Sequence, residues 1–119
     1  MVKYSSKPLN RVFFALSDPT RRAMLARLAA GELTITALAT PFSISFVAVS
    51  KHVRVLENAG LLKRTKQGRE YRLRLVGEPL RDATDWLEQY ERFWTDHLQD
   101  IKVRAEQKAR ERKANKSNP

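Results

Sequence analysis

The stretch Ser45–Arg64, SFVAVSKHVRVLENAGLLKR, gathers hydroxyl, imidazole, ammonium and guanidinium groups on a segment whose apolar residues keep helical spacing. Val49, Val53 and Leu56 fall at i, i+4 and i+7, one stripe for docking on a core. Off that stripe stand Ser50, Lys51 and Arg54. An arginine can donate two parallel hydrogen bonds to a guanine edge or a phosphate; a lysine acts as a point charge on phosphate, and a serine hydroxyl serves either target. Phe46 and Val47, at the start of the helix, suit thymine methyl groups or packing against neighbouring helices. His52 suits a phosphate or a structural hydrogen bond. Ser45 is a good N-cap. Beyond the helix comes Arg64, and Lys66 and Arg69 flank Gly68, which permits close backbone approach to a phosphate or a minor groove. These groups recognise; they do not catalyse. The chain has only two histidines and no cysteine, and its carboxylates lack a nucleophile–base pairing or a glycine-rich phosphate loop.

Charge favours the same kind of partner. A net charge of +10 and a pI near 10.4 point to a polyanion, either nucleic acid or an anionic membrane surface. The charge is segregated: residues 1–44 carry +4, residues 45–76 carry +6, residues 77–100 carry −5 and residues 101–119 carry +5. A generic solubilising charge has no reason to divide in this way. The 119 residues suffice for one domain, and 42% hydrophobic content with 30% charged residues is that of a soluble globular protein. No apolar run approaches the roughly 20 residues needed to span a bilayer. The N-terminus shows no secretory pattern, and the lack of cysteine fits a cytoplasmic location.

The elements that position these residues follow from periodicity. Leu9–Leu16 reads as a short helix. Asp18 and Pro19 start a second one, to about Ala30, with Ala23, Met24 and Leu28 on its apolar side and Arg21, Arg22 and Arg27 largely elsewhere. Residues 32–35 form a short extended or capping segment, followed by a brief helix over about Thr36–Thr40. Residues 45–58 form the fourth helix, and Gly60 stops it. In Tyr71–Leu75 apolar and basic residues alternate strictly, the period of a half-buried strand, with Leu61–Thr65 as its partner and residues 66–69 as the turn. The expected sheet is a two-stranded hairpin. A long helix then runs from Pro79 through at least Ile101, with Leu80, Leu87, Trp94 and Ile101 seven residues apart. Residues 102–119 lose apolar partners and are expected to fray into a basic tail. This order describes a mainly α fold: a winged helix-turn-helix domain over residues 8–101, with a two-stranded β-hairpin wing and a long C-terminal helix. In such a unit the fourth helix enters the major groove and the hairpin flanks it.

ALSDPTRRAMLARLAAGELTITALA, SFVAVSKHVRVLENAGLLKR and GREYRLRL resemble the arsenic-repressor-type (ArsR/SmtB) winged-helix regulators. DWLEQYERFWTDHL resembles the last helix of a branch of that family lacking obvious metal sites. The resemblance covers about residues 8–100. It implies a homodimeric repressor on a pseudo-palindromic DNA operator, dimerising through its first and last helices. Those would contribute Val12, Phe13 and Leu16, then Trp86, Leu87, Tyr90, Phe93 and Trp94. The aromatic stripe agrees, being more surface than a small monomer easily covers, although packing on its own domain is the plainer alternative.

Sensing departs from the family pattern. Where its thiol metalloregulators carry Cys-x-Cys, this chain has Thr34 and Thr36, whose hydroxyls are poor soft-metal ligands. Asp96 and His97 are adjacent, so they diverge on a helix, and no second histidine lies one turn away. The expectation is no regulatory metal and no cofactor, and no small-molecule effector can be named. Two other classes fit a basic winged helix: a protein–protein assembly module with nonspecific nucleic-acid affinity, and a binder of structured RNA.

Overall fold

The computed structural model describes residues 6–117. Ser6 caps α1 (Lys7–Leu16), accepting from the Leu9 amide at 3.4 Å. Asp18 caps α2 (Pro19–Ala29), accepting from the Arg21 amide at 3.0 Å, while Pro19 occupies the first turn, where no N–H is needed. The Asp18 carboxyl is held below the ordinary carboxylate range chiefly by that backbone N–H, with the charge of Arg21 adding to it. A carboxyl lowered in this way stabilises the fold above its unfolded pKa and loses the effect as pH falls through the folded value, so this cap fails only in acid. Thr34 caps α3 (Ile35–Ala39) through the Ala37 amide at 3.1 Å, and Ser45 caps α4 (Phe46–Asn58) through the Ala48 amide at 3.1 Å.

Helix α4 stops for a backbone reason. Gly60 takes φ +74°, its amide donates to the Glu57 carbonyl at 2.9 Å, and the Leu61 amide donates to the Leu56 carbonyl at 3.0 Å. This is a Schellman closure, with the fully buried Leu56 and Leu61 as its apolar clasp. The chain then enters β2 (Leu62–Gln67) and returns in β3 (Glu70–Leu75). The turn is tighter than the sequence suggested, only Gly68 and Arg69. Gly68 has φ +62° and Arg69 does not share the positive φ, the pattern of a type II′ turn.

The sheet has three strands, not two. β1 (Leu33–Thr34) pairs antiparallel with β3, Leu33 opposite Leu73 and Thr34 opposite Arg72, giving the order β1-β3-β2. Two residues are too few to display a period of two. The outer edge of β3 nevertheless has backbone groups that need partners, and β1 supplies them.

Met24, Leu28, Leu38, Val49, Val53, Leu56, Leu61 and Leu73 fill the core between α2, α3, α4 and the sheet. Arg21 corrects the sequence reading, which set it off the buried side: it is only 8% exposed. Its Nε donates to the Ala15 carbonyl at 2.8 Å, its Nη2 to the Phe14 carbonyl at 3.0 Å, and its Nη1 lies 3.3 Å from His52 Nδ1. Arg22 donates to the Leu16 carbonyl at 2.7 Å. Two successive arginines of α2 thus supply donors to the last carbonyls of α1, of which Phe14 also accepts from the Ser17 amide and hydroxyl. Arg27 ties α2 to α3 through the Ala37 carbonyl at 3.0 Å.

The chain divides into two compact units between Thr84 and Asp85, whereas the sequence placed the boundary at residues 101–102. The expected continuous C-terminal helix is two: α5 (Glu78–Glu88) and α6 (Glu91–Ser117). The hydrogen bonding changes at the break. The Gln89 side-chain amide donates to the Trp86 carbonyl at 2.8 Å, and the Tyr90 amide donates to Leu87, three residues back, at 3.0 Å. At the break the Trp86 carbonyl thus accepts from a side chain, and the Tyr90 amide bonds three residues back rather than four. Residues 102–117, expected to fray, continue α6.

Removing the Arg21 guanidinium leaves the buried Ala15 carbonyl without its donor, whereas the Phe14 carbonyl keeps the Ser17 amide at 3.1 Å and the Ser17 hydroxyl at 2.6 Å. Arg21→Met is expected to cost about 2–4 kcal/mol in urea unfolding, and Arg22→Ala, whose bond is exposed, less than ~1 kcal/mol. Equal losses would show that the corner does not depend on the buried bonds.

Candidate nucleic-acid interface

Burying Val49, Val53 and Leu56 fixes the roll of α4 about its axis, and the opposite side is turned to solvent. Val47, Lys51 and Arg54 are exposed there, Ser50 is half-buried at the edge, and Phe46 is exposed in the first turn. Phe46 at 59% and Val47 at 64% exposure are not packed in the core, which removes the plainer of the two sequence readings for them within this chain. Ile44, 40% exposed just before the helix, extends this apolar lip and was missed in the sequence. Its signal was its place beside Ser45, one step before the helix start.

Ser45 and His52 are already engaged. The Ser45 oxygen accepts the Ala48 amide, which leaves its hydroxyl hydrogen free to donate. His52 turns toward the α1–α2 corner, with Nδ1 3.3 Å from Arg21 Nη1 and 3.9 Å from Asp18 Oδ2. A guanidinium can only donate, so Nδ1 is the acceptor and the neutral ring carries its proton on Nε2.

Arg64 is engaged too. Its Nε and Nη2 grip the Glu57 carboxylate at 3.0 and 2.9 Å, and its guanidinium lies 5.0 Å over the Tyr71 ring. The bonds to Glu57 raise its pKa above the usual arginine value. This two-point pair joins the base of the wing to the end of α4. Lys66 and Arg69 remain exposed at the hairpin tip, with Lys66 Nζ 6.0 Å from the centre of the Tyr71 ring.

The strand register also sets Lys63 directly opposite Arg74, both exposed. Like charges facing each other across a ladder are unfavourable by some tenths of a kcal/mol unless an anion sits between or beside them. The sequence reading missed this pair because it made the turn two residues too wide. The two-residue turn signal at Gly68 would have given the register.

The residues expected at a dimer surface divide between the two units. In the first, Val12 is 2% exposed and lies inside the fold, Phe13 is half-buried, and Leu16 packs against the core. Phe14, unselected from sequence, is instead 62% exposed, with the Arg21 guanidinium 5.2 Å over its ring. In the second unit Trp86, Leu87, Tyr90, Phe93 and Trp94 are all exposed, Trp86 meeting Tyr90 edge to face at 5.3 Å. Thr34 and Thr36 are occupied with helix α3: the first as its cap, the second through a carbonyl that accepts from Thr40. His97 stacks on Phe93 with ring centres 6.5 Å apart. Among the described residues no group of three metal-ligating side chains converges, and no helix is long and apolar enough to cross a membrane.

Comparison with known proteins agrees with this geometry. A helix-turn-helix domain family matches residues 16–65. The chain is 34% identical over 79 residues to the transcriptional repressor SdpR of Bacillus subtilis, covering 66% of this chain and 88% of that protein. It is 40% identical over 92 residues to the HTH-type transcriptional regulator Rv2034 of Mycobacterium tuberculosis, covering 75% and 80%. The crystal structure of an ArsR-family transcriptional regulator superposes with a TM-score of 0.69 at 38% identity, covering 75% of this chain and 92% of that one. A homodimeric winged helix-turn-helix DNA-binding domain from Mycobacterium bovis, described as a possible ArsR-family regulator, gives a TM-score of 0.56 at 26% identity over 78% and 83% of the two chains. With its capped α4, its short α3 brace and its hairpin wing, the chain belongs to the ArsR/SmtB family of winged helix-turn-helix transcriptional regulators.

Proposed function

We propose that the protein is a homodimeric, sequence-specific DNA-binding repressor of the cytoplasm, acting on a pseudo-palindromic operator. The observation that carries this reading is the outward face of α4. A helix rolled inward on Val49, Val53 and Leu56 presents Val47, Lys51 and Arg54 together, with Ser50 at the edge, to whatever it meets. Arg54 and Ser50 have the donors for base edges, Lys51 the charge for phosphate, and Phe46 and Val47 the apolar surface for thymine methyl groups. Lys66 and Arg69 at the wing tip take the flanking backbone. His52 and Arg64 belong to the support of this surface: the first is tied to α2, the second holds wing to helix. The Nε2–H of His52 and the hydroxyl of Ser45 remain as phosphate donors.

The dimer reading rests on the exposed run Trp86, Leu87, Tyr90, Phe93 and Trp94, and on the homodimeric state of the related domain from Mycobacterium bovis. Phe14 takes the place of Val12 as the α1 contribution. Two-fold symmetry would present two recognition helices about one DNA turn, roughly 34 Å, apart.

Selection from a random duplex library at about 150 mM salt should enrich an inverted repeat, bound at least ~10³-fold more tightly than a scrambled duplex. Binding without a preferred sequence that collapses as salt rises would leave only nonspecific attraction and favour a protein-assembly role. On the selected site Arg54→Ala should cost about 1–3 kcal/mol with relaxed specificity at one base pair; a uniform loss with a shallower salt slope would reassign Arg54 to phosphate. Trp94→Glu should give a monomer by light scattering, and a dimer persisting at micromolar concentration would exclude that surface.

A further inference from the structure

Alternation along β2 and β3 divides the cations of the wing between two faces. Arg64 shares the core-facing side with Leu62, Leu73 and Leu75, and Glu57 neutralises it there. Lys63, Arg72 and Arg74 stand on the opposite side, with Thr34 and Thr65 flanking Arg72 from the two neighbouring strands. Lys63 and Arg74 are exposed and directly opposite one another; Arg72 is half-buried. Among the described residues none of the three has an ion pair, although Glu32 precedes β1 and Glu70 starts β3. An acid at either facing position would have contributed stability where this pair subtracts it. The outer face of the sheet is charged for something outside the fold.

We propose that this outer face holds the sugar-phosphate backbone of the duplex that flanks the operator, beyond the contacts of the wing tip. The inference rests on the DNA-binding reading and extends it to a second side of the wing. From Arg69 at the tip to Arg74 the chain climbs five residues, about 17 Å at ~3.4 Å each. Cations therefore line the wing from its tip toward its base. A small anion needs one cradle, whereas a track suits a polymer whose charge repeats along its length, as in duplex DNA at one charge per ~1.7 Å of axis. The guanidinium groups of Arg72 and Arg74 can each fork onto phosphate oxygens, and Lys63 adds a point charge. The face carries no apolar side chain, so it offers a protein partner no anchor and a base no methyl contact. It reads charge and not sequence. A track of this length covers about half of the roughly 34 Å turn of DNA on each side of the operator.

The test uses the full chain and two duplexes: the selected operator cut at its outermost selected base pairs, and the same operator extended by about half a turn of arbitrary sequence at each end. At about 150 mM salt the extension should tighten binding about five-fold or more, and should steepen the salt dependence by about two phosphates for each wing engaged. Lys63→Gln combined with Arg74→Gln should lose that gain while binding the short duplex within about two-fold of the parent. Both positions are exposed, and removing two facing like charges should leave stability in urea equal or higher. Equal affinity of the parent for the two duplexes, or a gain that the variant keeps, would overturn the proposal and leave the operator-binding regulator standing. Equal losses on both duplexes would place Lys63 and Arg74 within the operator contacts and refute the flanking assignment. Polyglutamate binding that needs the two cations, with no effect of the flanks, would give the face to an acidic protein instead. Failure of the selection to yield any operator would remove both readings.

Discussion

The corner where α1, α2 and α4 meet is built around one buried guanidinium. Arg21 sits where the end of α1, the start of α2 and the middle of α4 meet, and it donates to all three neighbours it can reach: two carbonyls of α1 and the Nδ1 of His52. A buried charge without such partners would cost several kcal/mol, so the corner is stable in one arrangement only. Asp18, whose carboxylate caps α2 and lies 3.9 Å from His52 Nδ1, supplies the compensating charge. Apolar packing alone tolerates some sliding and rolling of a helix. Directional bonds at His52 remove that freedom, and the azimuth of Lys51 and Arg54 follows from them. The arrangement explains the DPTRR run in physical terms: aspartate caps, proline starts, and the two arginines close the preceding helix.

The second constraint is the Glu57–Arg64 pair at the far end of α4. Both side chains are about one-third exposed, 32% and 33%, so the pair is not a large source of stability. Its value is geometric, since a two-point bond fixes the base of the wing relative to the helix it flanks. The same pair takes Arg64 out of the set of cations open to a polyanion. Arg69 and Lys66, beyond its reach, keep theirs. Residue type alone could not separate these cases, because each arginine in the segment is equally able to bind phosphate until its neighbours are known.

Much of the architecture was legible in the sequence where a period ran long enough. The stripe Val49, Val53, Leu56 gave both the existence and the inward face of α4, and the alternation of Tyr71–Leu75 gave β3. Features made by short segments or by single side chains were not legible. β1 is two residues long, and the helix breaks between Glu88 and Glu91 where no glycine or proline marks the place. Arg21 is the sharpest case. By type it reads as solvent-facing, and only the carbonyls that end α1, brought close by the turn at Ser17 and Asp18, make its burial favourable. Val12, expected at a dimer surface, lies inside the fold for a related reason, while Phe14 is exposed. A ten-residue helix with apolar groups at five adjoining positions has two candidate faces, and the sequence does not say which one meets the core.

The basic surface carries a cost that the rest of the unit must offset. Lys63 faces Arg74 across the ladder, so the free wing holds like charges in proximity, and Lys51, Arg54, Lys66 and Arg69 stand exposed on the same unit. At physiological ionic strength the Debye length is about 8 Å, which screens distant pairs and leaves neighbours coupled. On the proposed reading a phosphate backbone would reverse the sign of those interactions, so the charges that repel in the free wing would become favourable on DNA. Stability and affinity would then draw on the same residues in opposite senses. A marginal two-stranded ribbon could not hold such charges alone. The third strand at β1, the leucines beneath β3 and the Glu57–Arg64 clasp are what allow the wing to be this basic and still be folded before DNA arrives.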